Sequence, residues 1–199
     1  MSCDNIEYGI NHIKDLIQNG ESDVVKSLVT DKKIGLYDTD QYSYNAMIHA
    51  CILGDLGLAK FLINNGYDVN VLVQGTSPLH QSAKYGNLGM VKFLLKHGAD
   101  VNLLTDNKNT PLMYAVLFDN YDVVKLLVKN EANVNAQTIY GRTALMDTVI
   151  ETKNIKMTKF LMENGAHHSG SLDVRLGQIL DNNVSKVASK CCCSCTQSK

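Results

Sequence analysis

A segment of 26 residues recurs along this chain at an almost constant interval, and this recurrence limits the possible folds more than any other feature. Its copies occupy residues 45–70, 77–102, 110–135 and 143–168, so successive starts are 32, 33 and 33 residues apart. A fixed period in this range indicates one supersecondary unit, copied along the chain, that buries its apolar face only against its neighbours. The functional question therefore concerns surfaces rather than a catalytic cleft.

The copy at residues 77–102 carries the start and stop signals of two short helices. Ser77 can accept a hydrogen bond from the first helical turn, and Pro78 stands where a missing amide donor costs nothing. We expect a first helix over residues 78–85 and a second over residues 88–96. The second helix is too apolar to be stable alone in water, so it must pack against the neighbouring copies.

Three short motifs carry a resemblance to a known family. Ser77-Pro78-Leu79-His80 and Thr110-Pro111-Leu112-Met113 resemble the Thr-Pro-Leu-His start of the ankyrin repeat, and Gly98-Ala99-Asp100-Val101-Asn102 resembles its end. The resemblance implies an α-solenoid of stacked ankyrin repeats, all-α with short β-hairpin loops. In that family the histidine of the first motif braces adjacent hairpins, which assigns the same structural role to His80.

The repeats divide the chain into four parts. We expect a degenerate N-terminal capping repeat over residues 1–37, four ankyrin repeats over residues 38–171, a C-terminal capping helix over residues 172–189 and a flexible Cys-rich tail over residues 190–199. The last full repeat is one residue longer than the others, because Lys159 follows Lys125 by 34 residues. The extra residue should lie near Thr152-Lys153-Asn154, between the two helices of that repeat.

Charge and hydropathy exclude several classes of protein. The 19 basic and 20 acidic residues give a net charge of −1, which argues against a nucleic-acid binder with a basic stripe. No apolar run reaches the roughly 18–20 residues of a membrane helix. The N-terminus lacks the basic and apolar regions of a signal peptide. We therefore expect an intracellular, cytoplasmic protein.

The sequence contains no pattern typical of a catalytic, metal or cofactor site. No His or Cys pair has ligand spacing with a third partner, and neither glycine-rich phosphate-binding motif occurs. Cys51, within a first helix, is interpreted as an inert packing residue. The chain is therefore predicted to be non-enzymatic, with no cofactor and no metal.

Four cysteines stand within five residues near the C-terminus: Cys191, Cys192, Cys193 and Cys195. Adjacent cysteines are poorly placed to surround one zinc ion, and Cys195 is fifth rather than fourth from the end, so the tail is not a prenylation motif. Reversible S-acylation is one interpretation, and several acyl chains would suffice for membrane anchoring. The other interpretation is an exposed end without a role.

The resemblance implies that hairpin tips and first-helix ends form a concave face whose residues are not dictated by stacking. These positions are unusually apolar and aromatic, which is typical of a partner site. Some of the apolar residues could instead lie buried between repeats. The expected partner-binding residues are Tyr42, Tyr44, Val73, Gln74, Lys84, Tyr85, Asp106, Asn107, Leu117, Phe118, Ile139, Tyr140 and Arg142.

These features favour a monomeric ankyrin-repeat adaptor or inhibitor that binds another protein, and no nucleic acid, through its concave face. One alternative is a membrane-associated adaptor positioned by S-acylation of the cysteine cluster, and another is the subunit of an enzyme whose active site lies on a different chain.

The abundance of Asn, Asp, Ile, Lys and Tyr is typical of an AT-rich genome. It suits a host-interaction protein of a large DNA virus or an intracellular pathogen.

Overall fold

The computed structural model describes residues 12–167, which form ten α-helices joined by short loops. In chain order the helices are α1 (Ile13–Gln18), α2 (Ser22–Thr30), α3 (Ala46–Leu53), α4 (Leu56–Asn64), α5 (Pro78–Lys84), α6 (Leu88–Lys96), α7 (Pro111–Leu117), α8 (Tyr121–Lys129), α9 (Ala144–Ile150) and α10 (Ile155–Glu163). They make five consecutive helix pairs. The first helices α1, α3, α5, α7 and α9 stack in that order, and the second helices α2, α4, α6 and α8 form a parallel row.

The first helices begin at the side chains that the sequence marks as caps. Ser77, Thr110 and Thr143 each accept a hydrogen bond at 3.3 Å from the backbone N–H three residues ahead. Asn45 makes the equivalent bond to the Ile48 N–H at 3.0 Å. Such a bond satisfies one of the amide groups that a helix start leaves without a partner, so the Ser77 cap confirms the predicted start of the first helix in that repeat.

The core repeats along the chain with the period of the sequence. Met47, Leu79, Leu112 and Leu145 lie at equivalent positions of the first helices, and all are at most 2% exposed. Leu62, Leu94, Leu127 and Leu161 form a second row on the second helices, and all are fully buried. Each helix therefore buries its apolar stripe against the next repeat, as expected for a solenoid.

The extra residue of the last full repeat lies between its helices, as predicted. Residues 151–154 separate α9 from α10, whereas three residues, 118–120, separate α7 from α8. The longer connection does not disturb the core, since Leu161 is as fully buried as the equivalent leucines of the other second helices.

The loops that enter the repeats are tight turns rather than extended strands. In the described part of the chain the one β-bridge joins Val73 to Thr76. The turn of the next repeat is closed by the Thr105 N–H donating to the Asn109 carbonyl at 3.0 Å. The expected β-hairpins are therefore reduced to single turns in the described residues.

An asparagine at the end of each central repeat ties it to the next repeat. The Asn70 amide donates to the Gly98 carbonyl at 3.1 Å, and its oxygen accepts from the Asp100 N–H at 2.8 Å. Asn102 and Asn135 make the same pair of bonds one repeat later each time. These bonds fix the spacing of successive turns.

Several expected features lie outside the described residues. They are the part of the N-terminal capping repeat before His12, the capping helix expected over residues 172–189, and the cysteines of the tail. Within residues 12–167, no helix combines the length and the apolar character needed to cross a membrane.

Candidate functional site

Exposed apolar side chains recur on the turns and at the ends of the first helices. We call this surface the hairpin face. On the turns it includes Tyr42, Ile139 and Tyr140, and at the helix ends Leu53, Tyr85, Leu117, Phe118 and Ile150. Tyr42 is 58% exposed, Tyr85 49%, Phe118 50% and Tyr140 75%. These four aromatic side chains are therefore not buried between repeats.

The centre of the hairpin face is a lysine between two aromatic rings. Lys84 Nζ lies 5.4 Å from the centre of the Tyr85 ring and 5.2 Å from the centre of the Phe118 ring. These rings end the first helices of adjacent repeats, so Tyr85 and Phe118, both expected as partner-binding residues, are brought together. A cation over an aromatic ring contributes about 0.5–1 kcal/mol at an exposed site, which helps to order this part of the surface.

At the N-terminal end of the hairpin face, a buried hydrogen bond between Asp40 and His49 organises the first turn. Asp40 accepts hydrogen bonds from the Tyr42 and Tyr44 N–H groups at 2.9 and 3.0 Å. Its other oxygen lies 2.7 Å from His49 Nε2 on α3, and both side chains are buried. The Tyr44 ring meets the His49 ring edge-on at 5.8 Å. This network explains why Tyr44 is half-buried while Tyr42 points outward.

One expected binding residue is not on the surface. Val73 is 8% exposed, because its N–H and carbonyl pair with Thr76 across the turn and its side chain packs inward. Gln74, next along the turn, is exposed and has a positive φ of 52°. The expectation for Val73 is therefore corrected. The turn presents Gln74 in its place.

The C-terminal end of the hairpin face is charged. Arg142 donates from Nε to Asp147 at 3.0 Å, from Nη2 to the same carboxylate, and from Nη2 to Glu151 at 3.0 Å. Burial raises the pKa of the Asp147 carboxyl, and the guanidinium of Arg142 opposes that shift. Arg142 is thus half-buried and hydrogen-bonded to two carboxylates, although the sequence predicted it as a partner-binding residue.

The two polar positions of the third turn, Asp106 and Asn107, are both exposed. The Asn107 carbonyl accepts a hydrogen bond from the Ile139 N–H at 3.1 Å, which joins this turn to the next one. The side chains of both residues remain available on the surface.

His80 and Cys51 both have structural surroundings. The His80 ring donates from Nε2 to the Asn109 carbonyl at 3.1 Å, and its Nδ1 accepts from the Ser77 N–H at 3.3 Å. Burial lowers the pKa of His80 to about 4, despite bonds to the backbone of Asn109 and Leu103 that favour the charged ring. The buried thiol of Cys51 has a pKa raised to about 12 by desolvation, so it is a poor nucleophile.

Across residues 12–167, no three His, Cys, Asp or Glu side chains are arranged to hold a metal ion. His80 and Cys51, the two residues with shifted pKa values described above, are both fully buried and lie inside the repeat stack. What the described residues place at the surface is an apolar and aromatic strip rather than a reactive cluster.

Comparison with known proteins agrees with the repeat architecture. A family model of ankyrin repeats, in three copies, matches residues 13–105 and 100–171. The chain belongs to the ankyrin-repeat family. No curated protein matches this ankyrin-repeat chain. Ankyrin repeats are protein–protein interaction modules and are generally non-enzymatic, so the ankyrin stack described above is a module for binding another protein.

The sequence prediction of site residues missed the contribution of the first ankyrin helix pair. Lys14 on α1 lies 5.6 Å from the centre of the Tyr42 ring, and Gln18 lies near the same turn. For this part of the chain the sequence indicated only a capping repeat over residues 1–37. The proximity of Lys14 to Tyr42 depends on how α1 stacks on α3, which the repeat period does not encode.

Proposed function

We propose that this ankyrin stack is a non-enzymatic adaptor or inhibitor that binds its partner protein through the hairpin face. The observation that carries the proposal is the set of exposed aromatic side chains at Tyr85, Phe118 and Tyr140, in three consecutive repeats. Aromatic side chains bury about 150–250 Å² each and dominate interface energetics. Leaving several of them exposed on one face is typical of a surface that is covered by a partner.

The repeat stack also supports binding through its rigidity. The hydrogen bonds of Asn70, Asn102 and Asn135 hold successive turns at fixed spacing, and His80 ties its helix to the next turn. A surface that is already ordered loses little conformational entropy when a partner binds.

Replacing the central aromatic pair tests the proposal. We expect the double variant Tyr85→Ala plus Phe118→Ala to lose partner binding, because each central anchor commonly contributes about 2 kcal/mol or more, roughly 30-fold in affinity. The partner is first identified by affinity capture and mass spectrometry with the wild-type chain. The affinity of the purified partner for the wild type and for the variants is then measured by calorimetry.

A matched control is the double variant Leu56→Ala plus Met162→Ala. These side chains are exposed to a similar extent, 43% and 44%, but lie on the second helices α4 and α10. Thermal melts of both double variants exclude unfolding as the cause of lost binding. If the folded Tyr85 and Phe118 variant captured the same partner with unchanged affinity, the binding surface would lie elsewhere.

A second candidate function rests on the four cysteines at Cys191, Cys192, Cys193 and Cys195. S-acylation there would position the ankyrin stack at a cytoplasmic membrane surface, and several acyl chains would be enough for stable anchoring. Fractionation of cells that express the full chain or a deletion of residues 191–195 tests this function. Movement of the full chain alone to the membrane fraction, reversed by hydroxylamine, would support it.

A further inference from the structure

A cavity opens at the N-terminal end of the hairpin face, where the first turn meets the ends of two first helices. Its volume is about 210 Å³. The walls are mainly apolar or aromatic, and the edge carries one amide and one cation. The cavity is lined by Tyr42, Tyr44, His49, Ile52, Leu53 and Tyr85, with Lys14 and Gln18 at the edge.

The turn that forms one wall is held in place by buried groups. Asp40 accepts the N–H groups of both Tyr42 and Tyr44, and His49 at the back of the cavity holds the same carboxylate at 2.7 Å. The opposite wall is the end of α3 at Leu53, with Tyr85 from the next repeat. The cavity is therefore preformed, and its walls need no rearrangement to receive a group from solution.

The size of the cavity favours a single side chain over a metabolite. Pockets for drug-sized ligands are commonly about 300–1,000 Å³, whereas an apolar cavity of about 150 Å³ holds a benzene ring. A volume of about 210 Å³ therefore suits one phenylalanine or leucine side chain. Such a pocket next to exposed aromatic residues is the usual setting of an interface anchor.

The charge around the cavity favours particular partner residues on either side of that anchor. No carboxylate lies among the described residues that line it. Lys14 at the edge and Lys84 beside Tyr85 form ion pairs with no carboxylate of residues 12–167, and each lies over an aromatic ring instead. The carboxylate behind the wall, Asp40, is buried and bound to His49. Lys14 thus lies at the pocket itself, and Lys84 lies over the ring of Tyr85, which lines the pocket.

We propose that this cavity receives one bulky apolar side chain of an acidic partner segment, and that Lys14 and Lys84 bind carboxylates next to that side chain in the partner's sequence. The proposal rests on the proposed function of the hairpin face. It adds the chemical class of the partner: an extended peptide with phenylalanine or leucine flanked by aspartate or glutamate.

Synthetic peptides that differ only at the proposed contacts test the inference. The probes are fluorescein-labelled peptides of one length with a central Glu-Phe-Glu, its Gln-Phe-Gln isostere, its Lys-Phe-Lys counterpart and Glu-Ala-Glu. Affinities are measured by fluorescence anisotropy at low and high salt, and chemical-shift mapping locates the bound peptide. We expect the Glu-Phe-Glu peptide to bind at least about tenfold tighter than each other peptide, with shifts at Leu53 and Tyr85.

Variants of the protein test the same contacts from the other side. Lys14→Gln and Lys84→Gln should each weaken the Glu-Phe-Glu peptide about two- to fivefold, as expected for exposed ion pairs, and should reduce its salt dependence. Lys14→Arg should restore binding because it keeps the charge. Lys92→Gln, an exposed lysine on α6, is the matched control and should change nothing. Leu53→Glu should abolish binding by placing a carboxylate in the cavity wall.

Three results would overturn the inference. They are equal binding of the Glu and Gln peptides, no chemical shift change from any peptide at millimolar concentration, and displacement of the peptide from the cavity by a single-stranded oligonucleotide. If Tyr85→Ala plus Phe118→Ala abolished partner capture while Lys14→Gln and peptide charge had no effect, the proposed function would stand and this inference would fail. If capture survived the aromatic double variant, the proposed function would fail as well.

Discussion

Asn120 is the residue whose replacement most directly tests how adjacent repeats are joined. It precedes α8, and its side-chain amide donates to the carbonyls of Ala83 and Lys84 in the preceding repeat, both at 2.8 Å. Those carbonyls belong to the last turn of α5, where a helix leaves its acceptors without intrahelical donors. The Asn120 amide thus completes the end of a helix in another repeat.

Replacement of Asn120 by alanine should cost about 2 kcal/mol of unfolding free energy. A typical hydrogen bond contributes about 1 kcal/mol net, and the substitution removes two of them. No helix cap is lost in addition, because the Asn120 side chain makes no capping bond to its own helix. For a domain of this size, about 2 kcal/mol corresponds to a decrease in Tm of roughly 4–8 °C.

The assay is thermal and urea unfolding of Asn120→Ala beside Asn130→Ala. Asn130, the residue that follows α8, is exposed and donates one bond, at 2.8 Å, to the Leu126 carbonyl of that helix, so its replacement should stay within about 0.5 kcal/mol. Asn87→Ala should match Asn120→Ala, since Asn87 makes the same two bonds, at 2.6 and 2.9 Å, to the carbonyls of Cys51 and Ile52. Equal midpoints for Asn120→Ala and Asn130→Ala would refute the argument that bonds between repeats carry this stability.

Two further predictions concern the interior of the stack. Leu94→Ala should lower the unfolding free energy by about 2–5 kcal/mol because Leu94 is fully buried, whereas Asn107→Ala on an exposed turn should change it by at most about 0.5 kcal/mol; urea denaturation of both variants measures the difference. His80, with its pKa lowered to about 4, binds fewer protons in the folded state than in the unfolded state between pH 4 and pH 6.5. The stability that His80 contributes is therefore complete above about pH 6.5 and declines as the pH falls towards 4, by up to about 3 kcal/mol. His80→Gln should show a flatter dependence of urea midpoint on pH than the wild type, and parallel pH profiles would contradict this assignment.

The connection between α9 and α10 shows how far the sequence alone could determine the fold. The one-residue difference between the Lys125–Lys159 spacing and the other spacings located the insertion correctly, because helix lengths in a repeat are fixed by the stack and only a loop can absorb an extra residue. Its consequence was not visible in the sequence. Asn154 is the last residue of the longer loop and donates to the Asp119 side chain at 2.6 Å, whereas Asn87 and Asn120 reach backbone carbonyls in the first helix of the preceding repeat.

The sequence by itself determined the helix start at Ser77, the repeat period and the family. These features depend on bonds within one repeat or on contacts between equivalent positions of neighbours, and both leave a periodic pattern in the chain. The tertiary structure decided which side chains of the turns face outward. Val73 packs inward and Arg142 is held by two carboxylates, while Lys14 and Tyr85 come to one cavity from different helix pairs. Such contacts depend on the angle and offset at which one pair stacks on the next, and no local pattern of residues records them.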